Sequence, residues 1–164
     1  MITIDGTDMP VELGFNKRFF SAKFCSGGLK YEVGVCIATG HIVWVNGPFR
    51  CGENDINVAR QSIVGKLTED EMAVADRGYP GEDWHIKTPL PHHARTAKET
   101  EMMGGARGRH ETVNKRLKIF EVLKKRFRHD LLLHSSCFRA VAVTTQLNFN
   151  HGEPPFQIEF HDDI

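Results

Sequence analysis

Cysteine is scarce. Four residues in 164 (Cys25, Cys36, Cys51, Cys137) are too few for a disulfide scaffold of this length, and none forms the C-x-x-C pair of a structural zinc site. Long hydrophobic runs are missing as well. Ile42 to Val45 and Ala140 to Val143 have four residues each, against about twenty for a membrane span. Residues 1–14 lack a basic start and an apolar stretch, and Asp5 and Asp8 interrupt them, which excludes a secretory signal. Neither sign of charge is in excess. Lys+Arg is 21 and Asp+Glu is 21, which excludes a histone-like basic chain and an acidic disordered tail. The expectation is a soluble intracellular protein with reduced thiols and no membrane partner.

A length of 164 residues suits one domain with one packed core. The neutral total hides an uneven distribution. Between Cys51 and Asp83 eight acids face three bases; between Arg107 and His129 nine bases face two acids. A basic stretch of that density points to a polyanion surface.

Hydrophobic periodicity supplies the elements. Ile2 to Asp5, Lys30 to Ala38 and Ile42 to Asn46 alternate as strands of one antiparallel meander. Gly6 should end the first, Thr39-Gly40 should turn the second into the third, and Asn46-Gly47-Pro48 should close the third. A helix follows, capped by Asn54 or Asp55 and carrying Ile56, Ala59, Ile63, Val64 and Leu67 at helical spacing. Met72 to Ala75 reads as a buried fourth strand parallel to the first. A short strand at Ile86 and helical content near Ala97 to Met103 are expected in a Pro/Gly-rich stretch. A long helix is expected from His110 to Phe127, and a last one from Ser136 to Leu147 with Phe138, Val141, Ala142, Thr145 and Leu147 inward. The order gives an α/β fold, a mixed sheet of three antiparallel strands then a parallel one, flanked by helices. The tail, with Pro154 and Pro155, is expected to pack as an irregular arm.

Three acids fall where this architecture converges. Asp5 ends the first strand, Asp76 ends the fourth, and Glu111 opens the long helix with Lys115 and Lys118 on its face at i+4 and i+7. Neighbouring strands lie about 4.8 Å apart. Close carboxylates without a counter-ion repel, and a pair of divalent ions removes the penalty. Oxygen ligands select Mg²⁺ or Mn²⁺, and two such ions can activate a water or 3′-hydroxyl against a phosphodiester. Taken singly, Asp5 and Asp76 read as ordinary turn acids.

Ile4-Asp5-Gly6-Thr7-Asp8, Lys30-Tyr31-Glu32-Val33-Gly34-Val35, Val74-Ala75-Asp76-Arg77-Gly78-Tyr79 and Arg109 to Lys118 together resemble the catalytic domain of PIF/Harbinger-type DDE transposases. The likeness runs from Met1 to about Asp162. Asp5 matches the family's D-G-T acid, Asp76 its D-x-G-Y acid, and Glu111 its E-x-x-x-x-x-x-K acid, with 34 residues between the last two. The resemblance implies an RNase H-like fold, a D-D-E site holding two Mg²⁺ or Mn²⁺ ions, DNA endonuclease and strand-transfer chemistry, and residence in the nucleus. It also implies a single domain over residues 1–164 that lacks the N-terminal DNA-binding region of a full transposase. A separate DNA-binding protein and a homodimer are then the candidate partners beside DNA.

The residues expected on DNA are Lys115 and Lys118, with Arg107 and Arg109 of the same basic stretch. Asp8 and Asp55 read as structural acids, Asp55 as a helix cap, with a fourth carboxylate near the ions as the other reading of each. Trp84 is a weaker candidate for stacking on a base, while Trp44 and Phe49 read as core. His92-His93 and the pair His129 and His134 do not have zinc spacing. A different class stays open beside the enzyme: a catalytically silent, transposase-derived module that binds DNA or protein.

Overall fold

The computed structural model describes residues 1–14, 16–81, 84–89 and 96–158. Its centre is a mixed sheet. Strands β1 (Ile2–Pro10), β2 (Phe20–Ser21), β3 (Ser26–Cys36) and β4 (Ile42–Arg50) precede helix α1 (Asp55–Gln61). Then follow β5 (Ala73–Val74), β6 (Ile86–Lys87), α2 (Ala97–Leu117), α3 (Glu121–Lys124) and α4 (His134–His151). The sheet runs β2-β3-β1-β5-β6, with β4 also paired to β3. β3 is antiparallel to both β1 and β4, and β5 joins β1 in parallel, as the sequence predicts.

β3 is central and buried on both faces. Leu29, Tyr31, Val33 and Val35 meet Val113 and Leu117 of α2, Leu123 of α3 and Phe138, Val141 and Ala142 of α4. The alternate residues face α1, where Glu32 is fully buried; its Oε2 accepts from Trp44 Nε1 at 2.8 Å and from the Ser62 hydroxyl. On that side Ile4, Ala73, Ala75 and Ile86 pack on Ile56, Ala59 and Ile63. Helices on both faces make this an α/β layer structure consistent with an RNase H-like fold.

Several boundaries differ from the sequence expectations. α1 stops at Gln61, because Ser62 leaves helical geometry, so Ile63, Val64 and Leu67 lie beyond the helix although they still pack on its side of the sheet. Gly6 does not end β1, because β3 is long enough to pair with it as far as Pro10↔Gly28. β4 runs through Asn46-Gly47-Pro48 by a bulge, since Lys30 pairs with Phe49 and Glu32 with Asn46. The long helix starts at Ala97, fixed by a capping box between Thr96 and Glu99, so Glu111 lies inside it rather than at its opening. It also stops at Leu117. The chain is extended at Phe120 before α3, and the break lets Leu123 and Phe127 of the apolar stripe reach the end of β1, where Phe127 N–H donates to Pro10 O at 3.0 Å. In α4 the buried stripe is completed by Phe149, and Leu147 is exposed. The tail is irregular up to Ile158, which packs with Met102, Met103 and Ala106.

Candidate active site

β1 and β5 set the first two acids side by side. Their register pairs Ile2 with Ala73 and Thr3 with Val74; two residues beyond the last pair come Asp5 and Asp76, and both line one cleft. Successive side chains alternate faces, so Asp5 shares the face of Thr3 and Asp76 that of Val74. That face is covered by α2. Thr3 Oγ1 lies 2.8 Å from His110 Nδ1 and donates to Val35 O at 3.3 Å, which pins the middle of the helix onto β1. Glu111 is the next residue, and it lines one cleft of about 390 Å³ together with Asp5, Asp76, Gly104, Arg107 and Gly108.

The acids are crowded. Burial, then the charge of Asp76, then that of Asp55 push the Asp5 carboxyl up to about 7; the Gly6 N–H and Lys23 act against the rise. Asn114, one turn beyond Glu111, donates from Nδ2 to Asp5 Oδ2 at 2.9 Å. The Gly78 N–H donates to Asp76 Oδ1 at 2.7 Å, holding the carboxylate in a tight turn.

Asp55 belongs to this neighbourhood and is not a side-chain cap. Asn54 takes the N-cap position of α1 without a side-chain bond. The Asp55 carboxylate turns instead to Lys30, whose Nζ donates to Asp55 Oδ1 at 2.6 Å and to Glu53 O at 2.7 Å. Two glycines make the room. A Cβ on Gly6 would sit 2.6 Å from Asp55 Oδ1, and one on Gly78 would sit 2.9 Å from Asp76 Oδ1 and 3.3 Å from Asp55 Oδ2. Beneath them Tyr79 is fully buried with its hydroxyl unpartnered; burial and the charges of Asp55 and Asp5 push its ionisation upward.

The donor set suits a hard cation in both charge and atom type. Asp5, Asp76, Asp55 and Glu111 offer only carboxylate oxygens, and among the described residues the one cation bonded to them is Lys30 on Asp55. Among the described residues, however, no three Asp, Glu, His or Cys side chains converge closely enough to share one ion.

Of the expected DNA contacts, Arg107 lines the cleft with its Nε unpartnered, and Lys115 is exposed one turn past Glu111. Lys118 is half-buried, and burial together with the nearby Lys23 lowers its pKa. Arg109 is a correction. It is 1% exposed and its Nη2 donates to Cys36 O at 3.0 Å and to Ile37 O, so its guanidinium ties α2 to the end of β3 and does not face solvent. Asp8 accepts from the Ser21 hydroxyl at 2.6 Å, which fastens β2 to β1. Trp84 is 88% exposed. His92-His93 lies outside the described residues. Asn114 and Lys30 were not expected at the site. The signal for Asn114 was its position at i+3 from Glu111 and i−4 from Lys118; Lys30 carries no local signal, because only the β1–β3 register and the course of α1 bring it to Asp55.

A family model described as DDE superfamily endonuclease matches residues 4–148, a span that takes in Asp5, Asp55, Asp76, Glu111 and Asn114. No curated protein matches the chain.

Proposed function

The chain belongs to the DDE superfamily endonuclease family, and on that premise we propose that it is the metal-dependent nuclease and strand-transfer domain of a PIF/Harbinger-type transposase, one domain over residues 1–164. Asp5, Asp76 and Glu111 would hold two Mg²⁺ or Mn²⁺ ions. Bound there, the ions supply a lowered pKa for the attacking water or 3′-hydroxyl and charge stabilisation for the leaving oxygen.

The chain's own residues do the rest. Asn114 orients the Asp5 carboxylate from the helix side. The Gly78 N–H orients Asp76. Lys30 fixes Asp55 behind them, so that the carboxylates stay on one side of the β1–β5 junction. Arg107, Lys115 and Lys118 stand along the same helix as Glu111 to hold the phosphate backbone. DNA is the partner this arrangement serves, in the nucleus, with a separate DNA-binding protein or a second copy of the chain supplying target choice.

The observation that carries the reading is the shared cleft of Asp5, Asp76 and Glu111 across two parallel strands and a helix. The test is nicking of supercoiled DNA in Mg²⁺ or Mn²⁺ by the chain and by Asp76→Asn. Loss of nicking in the variant supports the assignment, and equal nicking removes it.

A second reading, the catalytically silent DNA- or protein-binding module, is favoured by the failure of any three described side chains to converge on one ion. Thermal melting with and without millimolar Mn²⁺ separates the two. A working site raises the melting temperature by mass action, and Asp5→Asn abolishes the rise; a metal-indifferent melt supports the silent module.

A further inference from the structure

The basic stretch of the chain does not stop at the cleft. Past Lys118 the polypeptide breaks, forms α3, and returns to the far end of β1, where Val11 bridges Phe127 and Glu12 N–H donates to Phe127 O at 2.8 Å. This places Arg126, which is exposed, on a groove of about 410 Å³ that it shares with Asn16, Phe20, Cys25, Ser26 and with Glu12, whose carboxylate is paired to Arg128. The same groove therefore borders the tight turn between β2 and β3, in which Cys25 adopts φ 50°. That turn carries Lys23, also exposed, whose charge is felt both at Asp5 and at Lys118.

Three cations from three separate segments thus line a path: Lys118 from the end of α2, Lys23 from the β2–β3 turn, Arg126 from beyond α3. None of the three forms an ion pair among the described residues. Their neighbours Lys125 and Arg128 are tied to Glu121 and Glu12. Lys118 and Lys23 repel one another, Asp5 and Asp8 counter the repulsion in part, and a polyanion would relieve the rest. The path begins beside Asp5 and ends beside Val11. Six residues of strand at about 3.3 Å each make it about 20 Å long, the length of about six base pairs of duplex DNA.

We propose that Lys118, Lys23 and Arg126 form a phosphate-tracking groove for the duplex DNA that flanks the reacting phosphodiester, leading away from the cleft along β1. The proposal rests on DNA being the substrate but not on the chain being catalytically active. Its chemistry is charge against phosphate, without base readout.

The experiment measures binding of a labelled duplex of about 20 base pairs to the full chain, without metal, across about 50 to 200 mM salt. The variant Lys23→Ala/Arg126→Ala removes two exposed charges, and an unchanged melting temperature confirms its fold. The salt slope should become shallower by about 2, and affinity at about 100 mM salt should fall about tenfold. An unchanged slope overturns the proposal. So does a wild-type chain that does not bind the duplex, or one that prefers single-stranded RNA of equal length. Failure of the nuclease reading is separate: a chain that binds through Lys23 and Arg126 yet nicks no better than Asp76→Asn keeps the groove and loses the enzyme.

Discussion

Asp5 should destabilise the metal-free protein above neutral pH, and Asp5→Asn should reveal by how much. The carboxyl is pushed from 3.8 up to about 7, by burial first and then by Asp76 and Asp55. Below pH 3.8 it is protonated in both folded and unfolded chains and costs nothing. As pH rises from 3.8 to 7 the unfolded chain releases a proton that the folded chain keeps, so stability falls, and above 7 the loss is constant. The interval corresponds to about 4 kcal/mol as an upper bound. Relaxation of a half-buried group toward water brings the expectation to about 2–4 kcal/mol. The amide of Asp5→Asn carries no charge and retains an oxygen for the Asn114 Nδ2 and Gly6 N–H donors, so the variant should lose the penalty and keep the hydrogen bonds. For a chain of this size the gain is about 5–15 °C in melting temperature at pH 8, fading to nothing near pH 4. Scanning calorimetry of both proteins at half-unit pH steps in chelator reads this directly. Millimolar Mn²⁺ should raise the wild-type transition and leave the variant unmoved. A variant that melts below the wild type at pH 8, or a difference independent of pH, would refute the account of the crowded carboxylates.

His110 works in the opposite sense: buried against Thr3, it is pushed down to about 4, so stability is lost as pH falls from 6.5 to about 4, by about 1.4 kcal/mol per unit. Its loss and the relief at Asp5 offset each other in the wild type, so acid sensitivity in that range should steepen in Asp5→Asn, as urea midpoints at pH 4.5 and 6.5 would show. Gly78→Ala should cost about 1–3 kcal/mol and blunt the Mn²⁺ response, because its methyl would meet Asp76 and Asp55 oxygens; a normal response would sink the glycine argument. Arg109→Met should lower stability by about 3 kcal/mol while leaving the salt slope of DNA binding unchanged, in keeping with its inward bonds to Cys36 and Ile37; a shallower slope would return Arg109 to the DNA surface. Leu117→Ala, at a fully buried position between α2 and β3, should cost about 2–5 kcal/mol by denaturant titration.

What the sequence made legible was governed by periodicity. The alternation of Tyr31, Val33 and Val35 fixed the central strand and its inward face, and the parallel placement of Ala73 and Val74 followed from the helix that separates them from β4. That Asp5 and Asp76 line one cleft follows from strand order alone, which sets β5 beside β1, although β1 runs on past Asp5 to Pro10. Boundaries were less legible. Gly6 and Gly47 look like strand ends by local preference, but pairing with an eleven-residue β3 overrides both. Helical content from Ala97 was legible, but Gly104, Gly105 and Gly108 hid its continuity into the helix that carries Glu111. Arg109 illustrates the limit for charged residues: in sequence it is one base among nine, and only the tertiary fold turns it inward. Lys30 is the converse, a lysine in a strand whose partner, Asp55, lies 25 residues away.

The position of the cleft follows from an inequality of strand length. β1 has nine residues and is paired over all of them by β3, whereas β5 has two and leaves β1 after Thr3. From Ile4 onward the β5 edge of β1 is therefore uncovered. Asp5 is the first residue of β1 beyond that departure with its side chain toward α2, and Asp76 is its counterpart on the diverging chain. A crevice outside the ends of parallel strands is where open α/β sheets place their ligands. Here the crevice is open to solvent on the Asp76 side, where that residue is exposed, and roofed by a helix whose cleft-facing positions at Gly104 and Gly108 carry no side chain. The roof thus offers space at its first turns and charge at its later ones, Arg107, Glu111, Lys115 and Lys118. A longer β5 would fill the crevice with backbone pairing and draw Asp76 into the sheet, so the brevity of that strand is what leaves the carboxylates facing a cavity instead of a neighbouring strand.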